Sequence, residues 1–259
     1  MDNRFFPSPR YLYKSLLPSY CMQKMLKKKI SKIKQQSSEH KKNSSEIKII
    51  LSLLQPDHHP TMLEELGKEG YSPFQLLIAT LLSSRTKDST TIPIVRKLFK
   101  KYPALQDLSS AKTGELQKLL YGIGFYRTKT KHIKELTSIV LEKYGGKIPE
   151  TFEALTSLPG VGRKTANCVL GYAFKEPAIA VDTHVHRISN RLGWIHTENP
   201  EESEEALQKI VPKELWTEVN RLLVDHGQRI CLPRNPRCTV CLIQKYCAYG
   251  RKVLGKKKN

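Results

Sequence analysis

The stretch SLPGVGRKTANCVLGYAF, residues 157–174, decides the fold of this chain. Pro159, Gly160, Val161 and Gly162 read as a tight turn, and beyond it Ala166, Val169, Leu170, Ala173 and Phe174 recur at helical spacing. Glycines admit backbone angles that other residues resist, and they let the turn's N–H groups approach another backbone closely. With the positive end of the helix that opens near Arg163, those N–H groups make a seat for a phosphate that ignores base sequence. A plain corner between two helices uses the same residues, so the turn alone leaves both readings open.

Lys164 falls in the first turn of the second helix, where the macrodipole disfavours a cation and Arg163 adds repulsion. Both effects are expected to lower its pKa and to enrich the free amine, which is the nucleophilic form. A lysine beside DNA also serves as a simple phosphate contact. Asp182 follows 18 residues later in AIAVDTHVHRISNRLGW, residues 178–194. One continuous helix would hold the pair roughly 27 Å apart, so chemistry between them needs the chain to turn at Lys175, Glu176 and Pro177. Asp182 also reads as the N-cap of a helix starting at Thr183, a role compatible with catalysis. His184 and His186 are placed to meet DNA or a base, or to serve structure.

Outward from this region the pattern is helical almost throughout, as in Ile133, Leu136, Val140 and Tyr144. The segment FQLLIATLLSS, residues 74–84, has the composition of a buried strand, but its length and flanks favour a core helix closed by a polar turn. The expectation is an all-α protein of about ten helices joined by Gly, Pro and Asx turns.

The chain has 259 residues, 39% of them hydrophobic, and a formal charge of +20, enough for a full core under a surface that attracts a polyanion. Nucleic acid is the expected partner rather than a membrane, since no window approaches the ~18 apolar residues a span requires. The first residues lack the apolar core of a secretory signal, so an intracellular protein is expected. Residues 1–44 carry eleven basic side chains against two acids, with little apolar pattern, and read as a basic, disordered arm. A solvated tail, a DNA tether and a targeting peptide all fit it.

Four of the six cysteines, Cys231, Cys238, Cys241 and Cys247, follow the spacing C-x6-C-x2-C-x5-C. Four clustered thiolates suit a tetrahedral zinc or an iron–sulfur cluster. The single C-x2-C knuckle, where a zinc ribbon usually has two, tilts the reading to the cluster. Arg234 and Arg237 lie between the ligands and can face phosphates.

Three motifs in order, LPGVGRKTAN at 158–167, AVDTHVHR at 180–187 and the four cysteines, resemble endonuclease III of the helix-hairpin-helix DNA glycosylase superfamily over about residues 45–250. The resemblance implies that Lys164 attacks the sugar C1′ of a flipped-out damaged nucleotide, that Asp182 assists departure of the base, and that the cysteines hold one 4Fe-4S cluster. It also implies a Schiff base at Lys164 followed by β-elimination, so that one site removes an oxidised pyrimidine and nicks the strand. The implied partner is double-stranded DNA with a damaged base or an abasic site, bound by a monomer. A lyase acting mainly on abasic sites, a mismatch-directed thymine or uracil glycosylase, and a non-catalytic DNA-binding module are the alternatives.

DNA contacts are expected of the hairpin residues Pro159, Gly160, Val161, Gly162 and Arg163 and of His184, and the same resemblance assigns gap-filling positions to Arg85 and Phe125. Here LLSSRTKD carries arginine where glutamine is common, and GIGFYRTK carries phenylalanine where leucine is common. Both planes can stack on bases. Asp88 reads as a pocket or capping residue. The implied architecture is two helical lobes, a barrel over 66–176 and a cluster domain combining 45–65 with 177–255.

Overall fold

A computed structural model of the chain describes residues 44–255; of the expected basic arm only Ser44 is included, and the rest lies outside the described residues. These residues form helices and turns with no strand, as expected for an all-α fold. Thirteen α-helical segments and four 3-10 turns are present rather than about ten, because several helices are only five to seven residues long. In chain order they are α1 (44–54), α2 (Met62–Lys68), α3 (Pro73–Ser83), α4 (Asp88–Lys101), α5 (Leu105–Ser110), α6 (Thr113–Leu119) and α7 (Tyr126–Tyr144). Then come α8 (Phe152–Thr156), α9 (Arg163–Ala173), α10 (Thr183–Leu192), α11 (Pro200–Ile210), α12 (Trp216–Arg229) and α13 (Ala248–Gly255).

The segment with strand-like composition is helix α3, and its start explains why. The Ser72 hydroxyl accepts from the Gln75 N–H at 3.4 Å, the Gln75 side chain accepts from the Ser72 N–H at 2.9 Å, and Pro73 supplies a preset first residue. Eight of the eleven α3 residues are buried, and the helix packs on α9, which buries eight of its own eleven.

Apolar side chains gather into two cores. The first joins α2 through α9, with Leu77, Leu82, Leu98, Leu116, Ile133 and Leu136 fully buried. The second joins α1 to α10, α11 and α12 around Ile47, Ile50, Val185, Leu207, Val219 and Leu223. Met62 and Leu63 belong to the first core, so the chain crosses between cores ahead of α2 rather than at residue 65.

The return crossing delivers Asp182. Helix α9 stops where Lys175 takes a left-handed φ of 61°, with the Glu176 N–H donating to the Leu170 carbonyl at 2.9 Å, an end that Pro177 prevents from continuing. The next residues run extended, and alternate ones point to opposite sides: Ala178 and Ala180 enter the first core, Ile179 and Val181 the second. The Ala180 carbonyl accepts from the buried Asn220 amide at 2.6 Å, and Asn220 in turn accepts from the Tyr172 hydroxyl at 2.9 Å. Helices α9 and α12 thus grip the strip that ends at Asp182.

Candidate active site

Asp182 is the N-cap of α10, and one of its oxygens accepts from the His184 and Val185 N–H groups at 2.8 and 2.9 Å. Those bonds orient the carboxylate at the mouth of a cavity of about 560 Å³, within the roughly 300–1,000 Å³ typical of small-ligand pockets. Lys164, the second residue of α9, lines the same cavity, as do Asp88 at the start of α4, Arg85 and His184. The 18 residues between Lys164 and Asp182 are therefore folded back, and the two side chains share one site.

The electrostatics of Lys164 differ in sign from the sequence expectation. Its pKa is raised, first by the Cys168 sulfur one helical turn below and then by the carboxylates of Asp182 and Asp88, while burial opposes them. Cys168 is itself pushed up by burial, with the Lys164 charge pulling against it. The helix-start position did not decide the outcome, because the Cys168 sulfur and two carboxylates from other segments converge on the amine. Nor does Arg163 repel it. The Arg163 guanidinium turns away to the buried carboxylate of Glu204 at 2.7 Å and lies 4.8 Å over the Phe152 ring.

The hairpin ahead of α9 has the expected turn. Gly160 holds a φ of 77°, and a Cβ there would sit 2.7 Å from the His132 ring. Val161 departs from the expected surface role: its side chain is buried in the first core and its N–H donates to the Leu158 carbonyl at 3.1 Å. It shapes the turn, leaving the exposed Gly162 and Arg163 at the surface. Gly162 has an ordinary extended φ of −93° with open space around it.

His184 packs so closely on α12 that a Cβ on Gly227 would lie 2.6 Å from its Nδ1. Sequence reading missed Gly227, and also Cys168, which the four-residue spacing from Lys164 could have flagged.

Arg85 lines the cavity, and Phe125 stands beside it. The guanidinium lies 5.5 Å from the ring centroid, the ring is 62% exposed, and both residues adopt left-handed φ values of 54° and 56°. Such angles in residues other than glycine persist only where the surroundings impose them. Here the Gly124 N–H donates to the Thr86 hydroxyl at 3.0 Å, and the buried Lys129 ammonium donates to the Leu82 and Ser84 carbonyls at 2.8 and 2.6 Å.

Cys231, Cys238, Cys241 and Cys247 line one pocket at the foot of α10. Cys231 Sγ accepts from the Arg191 guanidinium at 3.3 Å, and Cys247 Sγ accepts from the Gly250 N–H at 3.3 Å. No disulfide joins the described cysteines. Burial pushes the Cys241 thiol up to about 11. Among the described residues, no three His, Cys, Asp or Glu side chains converge as a single-ion site would. Arg187 and Arg191 tie α10 to this loop through the Cys231, Leu232 and Pro233 carbonyls at 2.7, 2.7 and 2.8 Å.

Residues 78–213 match the family model of HhH-GPD superfamily base excision DNA repair proteins. Endonuclease III of Thermotoga maritima is 48% identical over 201 residues, 74% of this chain and 94% of that protein. The chain belongs to the endonuclease III family. It is accordingly a base excision DNA repair enzyme with the helix-hairpin-helix glycosylase fold. The trapped endonuclease III–DNA covalent intermediate superimposes with a TM-score of 0.74 at 36% identity, over 82% of this chain and 98% of that one. A thermostable thymine-DNA glycosylase superimposes with a TM-score of 0.71 at 28% identity, over 83% of this chain and 99% of the other. Among the described residues no helix is long and apolar enough to cross a membrane.

Proposed function

We propose that this member of the endonuclease III family is a bifunctional DNA glycosylase and abasic-site lyase, with Lys164 as its amine nucleophile and Asp182 as the carboxylate partner. The observation that carries this reading is their meeting in one cavity large enough for a nucleobase extruded from the duplex. Lys164 is held toward its charged form, and attack needs the free amine, because an ammonium has no lone pair to offer. Asp182 takes the proton from the attacking amine. The Lys164 nitrogen bonds to C1′ of the sugar, the C1′–N bond to the base breaks, and the base leaves with the electron pair and is protonated. Opening of the sugar gives an imine on Lys164; loss of a C2′ proton then expels the 3′ phosphate, and hydrolysis returns the amine.

The hairpin seats the DNA backbone through its turn around Gly160 and Gly162, and the +20 charge of the chain supplies the sequence-independent attraction. Two hydrophobic cores meeting at the cavity support the reading of two lobes with DNA held across them. An intracellular setting follows from that substrate.

The four cysteines fit one 4Fe-4S cluster: they share one pocket, and two of their sulfurs accept N–H bonds of the kind that tune thiolate ligands. Cys231, Cys238, Cys241 and Cys247 would hold the cluster, which would cross-link the loop against α10. Arg187 and Arg191 carry that link toward Asp182.

The test is excision from duplexes bearing thymine glycol, uracil opposite guanine, or an abasic site. Removal of the damaged pyrimidine with strand cleavage is expected. Excision confined to mismatches, or cleavage confined to abasic sites, would replace this reading with one of the alternatives.

A further inference from the structure

The reaction set out above removes two protons in succession: one from the attacking amine, then one from C2′ of the sugar. Asp182 takes the first, and a carboxylate that holds a proton accepts no other until it has released it. We propose that the C2′ proton goes to Asp88, which makes Asp88 a catalytic residue of strand cleavage rather than of base removal. The inference rests on the bifunctional reading above.

Asp88 lines the Lys164 cavity, and its charge acts on the Lys164 amine as that of Asp182 does. The two acids come to the amine from helices of different cores, Asp88 from the start of α4 and Asp182 from the cap of α10. Once the Lys164 nitrogen is bonded to C1′, C2′ is the next carbon along, so the proton to be lost lies near the same carboxylates. Asp88 is not spent on capping, because the N-cap of α4 is Lys87. Its side chain accepts one neutral hydrogen bond, from the Gln228 amide of α12 to Oδ2 at 3.3 Å, and Oδ1 accepts none among the described residues. A carboxylate has room for several such bonds, so capacity for a proton remains.

The other basic groups of the lining are less suited. His184 Nδ1 faces the Arg187 guanidinium, a pure donor, at 3.2 Å. That nitrogen therefore accepts, and Nε2 of the neutral ring already carries its hydrogen. Glu201 lines the cavity from the first turn of α11 but is exposed. In the step itself an Asp88 oxygen bonds to the proton and the C2′–H bond breaks. Its electron pair becomes the C1′–C2′ π bond, and the imine π pair moves onto the Lys164 nitrogen. When that pair returns, C2′ and C3′ become doubly bonded and the 3′ phosphate leaves with the C3′–O pair; Asp88 then gives its proton to solvent.

The experiment follows the full chain under single-turnover conditions on a duplex with a preformed abasic site and on one with thymine glycol. It scores borohydride trapping, base excision revealed by alkali, and nicking without alkali. Asp88→Asn keeps an acceptor for Gln228 and takes up no proton. Its ratio of nicking to excision should fall about 10²-fold, as expected for loss of a general base. Trapping on the abasic duplex should persist, since removing the Asp88 charge releases the Lys164 amine instead of holding it as ammonium. Deuterium at C2′ should slow the residual nicking, because proton loss has become the slow step. An unchanged ratio, trapping lost together with nicking, no isotope effect, or a fall in the ratio in Glu201→Gln rather than in Asp88→Asn would overturn the assignment. A wild type that neither traps nor nicks refutes the proposed function itself. A wild type that does both, beside an Asp88→Asn with the same ratio, refutes this inference alone.

Discussion

Asp182 caps α10 and faces Lys164, and two substitutions pull those roles apart. Asparagine is as good an N-cap as aspartate, because its side-chain oxygen accepts the same N–H bonds. Asp182→Asn should therefore retain the bonds to the His184 and Val185 N–H groups and change stability by no more than a few tenths of a kcal/mol. Asp182→Ala loses both bonds and should cost about 1 kcal/mol, a fall of about 2–4 °C in melting temperature for a chain this size. Base removal should behave differently. Neither variant can accept the Lys164 proton, so single-turnover excision should drop by about 10²–10⁴ in both. The Asp182 charge raises the Lys164 pKa, so its removal frees the amine at lower pH. The ascending limb of the residual rate–pH profile should thus move to lower pH in Asp182→Asn. Thermal melts paired with single-turnover kinetics from pH 6 to 9 read all of this. An Asp182→Asn variant with rates near wild type, or one as destabilised as Asp182→Ala, would refute the division of roles.

Three further expectations follow from other parts of the fold. Lys129→Met strips the partners from the Leu82 and Ser84 carbonyls, at about 1–3 kcal/mol, and hydrogen exchange should quicken over residues 82–86 more than in α7 itself. Glu64 and Asp225 are penalised by burial, yet hydrogen bonds hold both below the ordinary carboxylate range, from Thr61 and His58 on Glu64 and from Arg229 and the His59 N–H on Asp225. Depressed folded values mean stability present above the unfolded pKa of about 4 and lost as pH falls through the folded values, so the melting temperature should decline below about pH 4 and Asp225→Asn should flatten that decline. Gly227→Ala drives a methyl into the His184 ring, and excision should fall while the metal content of the purified protein, read by elemental analysis, stays at the wild-type level; a changed metal content with unchanged excision would count against the packing argument.

What could be read from the sequence was mostly local. The hairpin before α9, the break at Lys175 to Pro177 and the cap at Asp182 depend on residues within a turn of one another, and each lies where the motif places it. The cysteine spacing is local in the same way, and the structure brings the four thiols to one pocket. Lys164 was misjudged on two counts: Cys168, one turn along the same helix, was overlooked, and the rest of its environment is assembled from afar, with Asp88 coming from α4, Asp182 from across the crossing, and Arg163 drawn off by Glu204, 41 residues away. The crossing itself was legible in principle, since AIAV alternates small and large residues as an extended strip between two cores would. The Arg85–Phe125 unit was not, because left-handed backbone at arginine and phenylalanine has no local signature and is imposed by Gly124, Thr86 and Lys129.

The central claim is that the Lys164 amine bonds to the sugar. Borohydride reduction during turnover converts the imine to a stable covalent adduct, so wild-type protein mixed with lesion-bearing DNA should become trapped on the strand. Peptide mapping should then place the adduct on Lys164, and Lys164→Gln should show no trapped species. Persistent trapping by Lys164→Gln, or an adduct mapped to another lysine, would contradict the account.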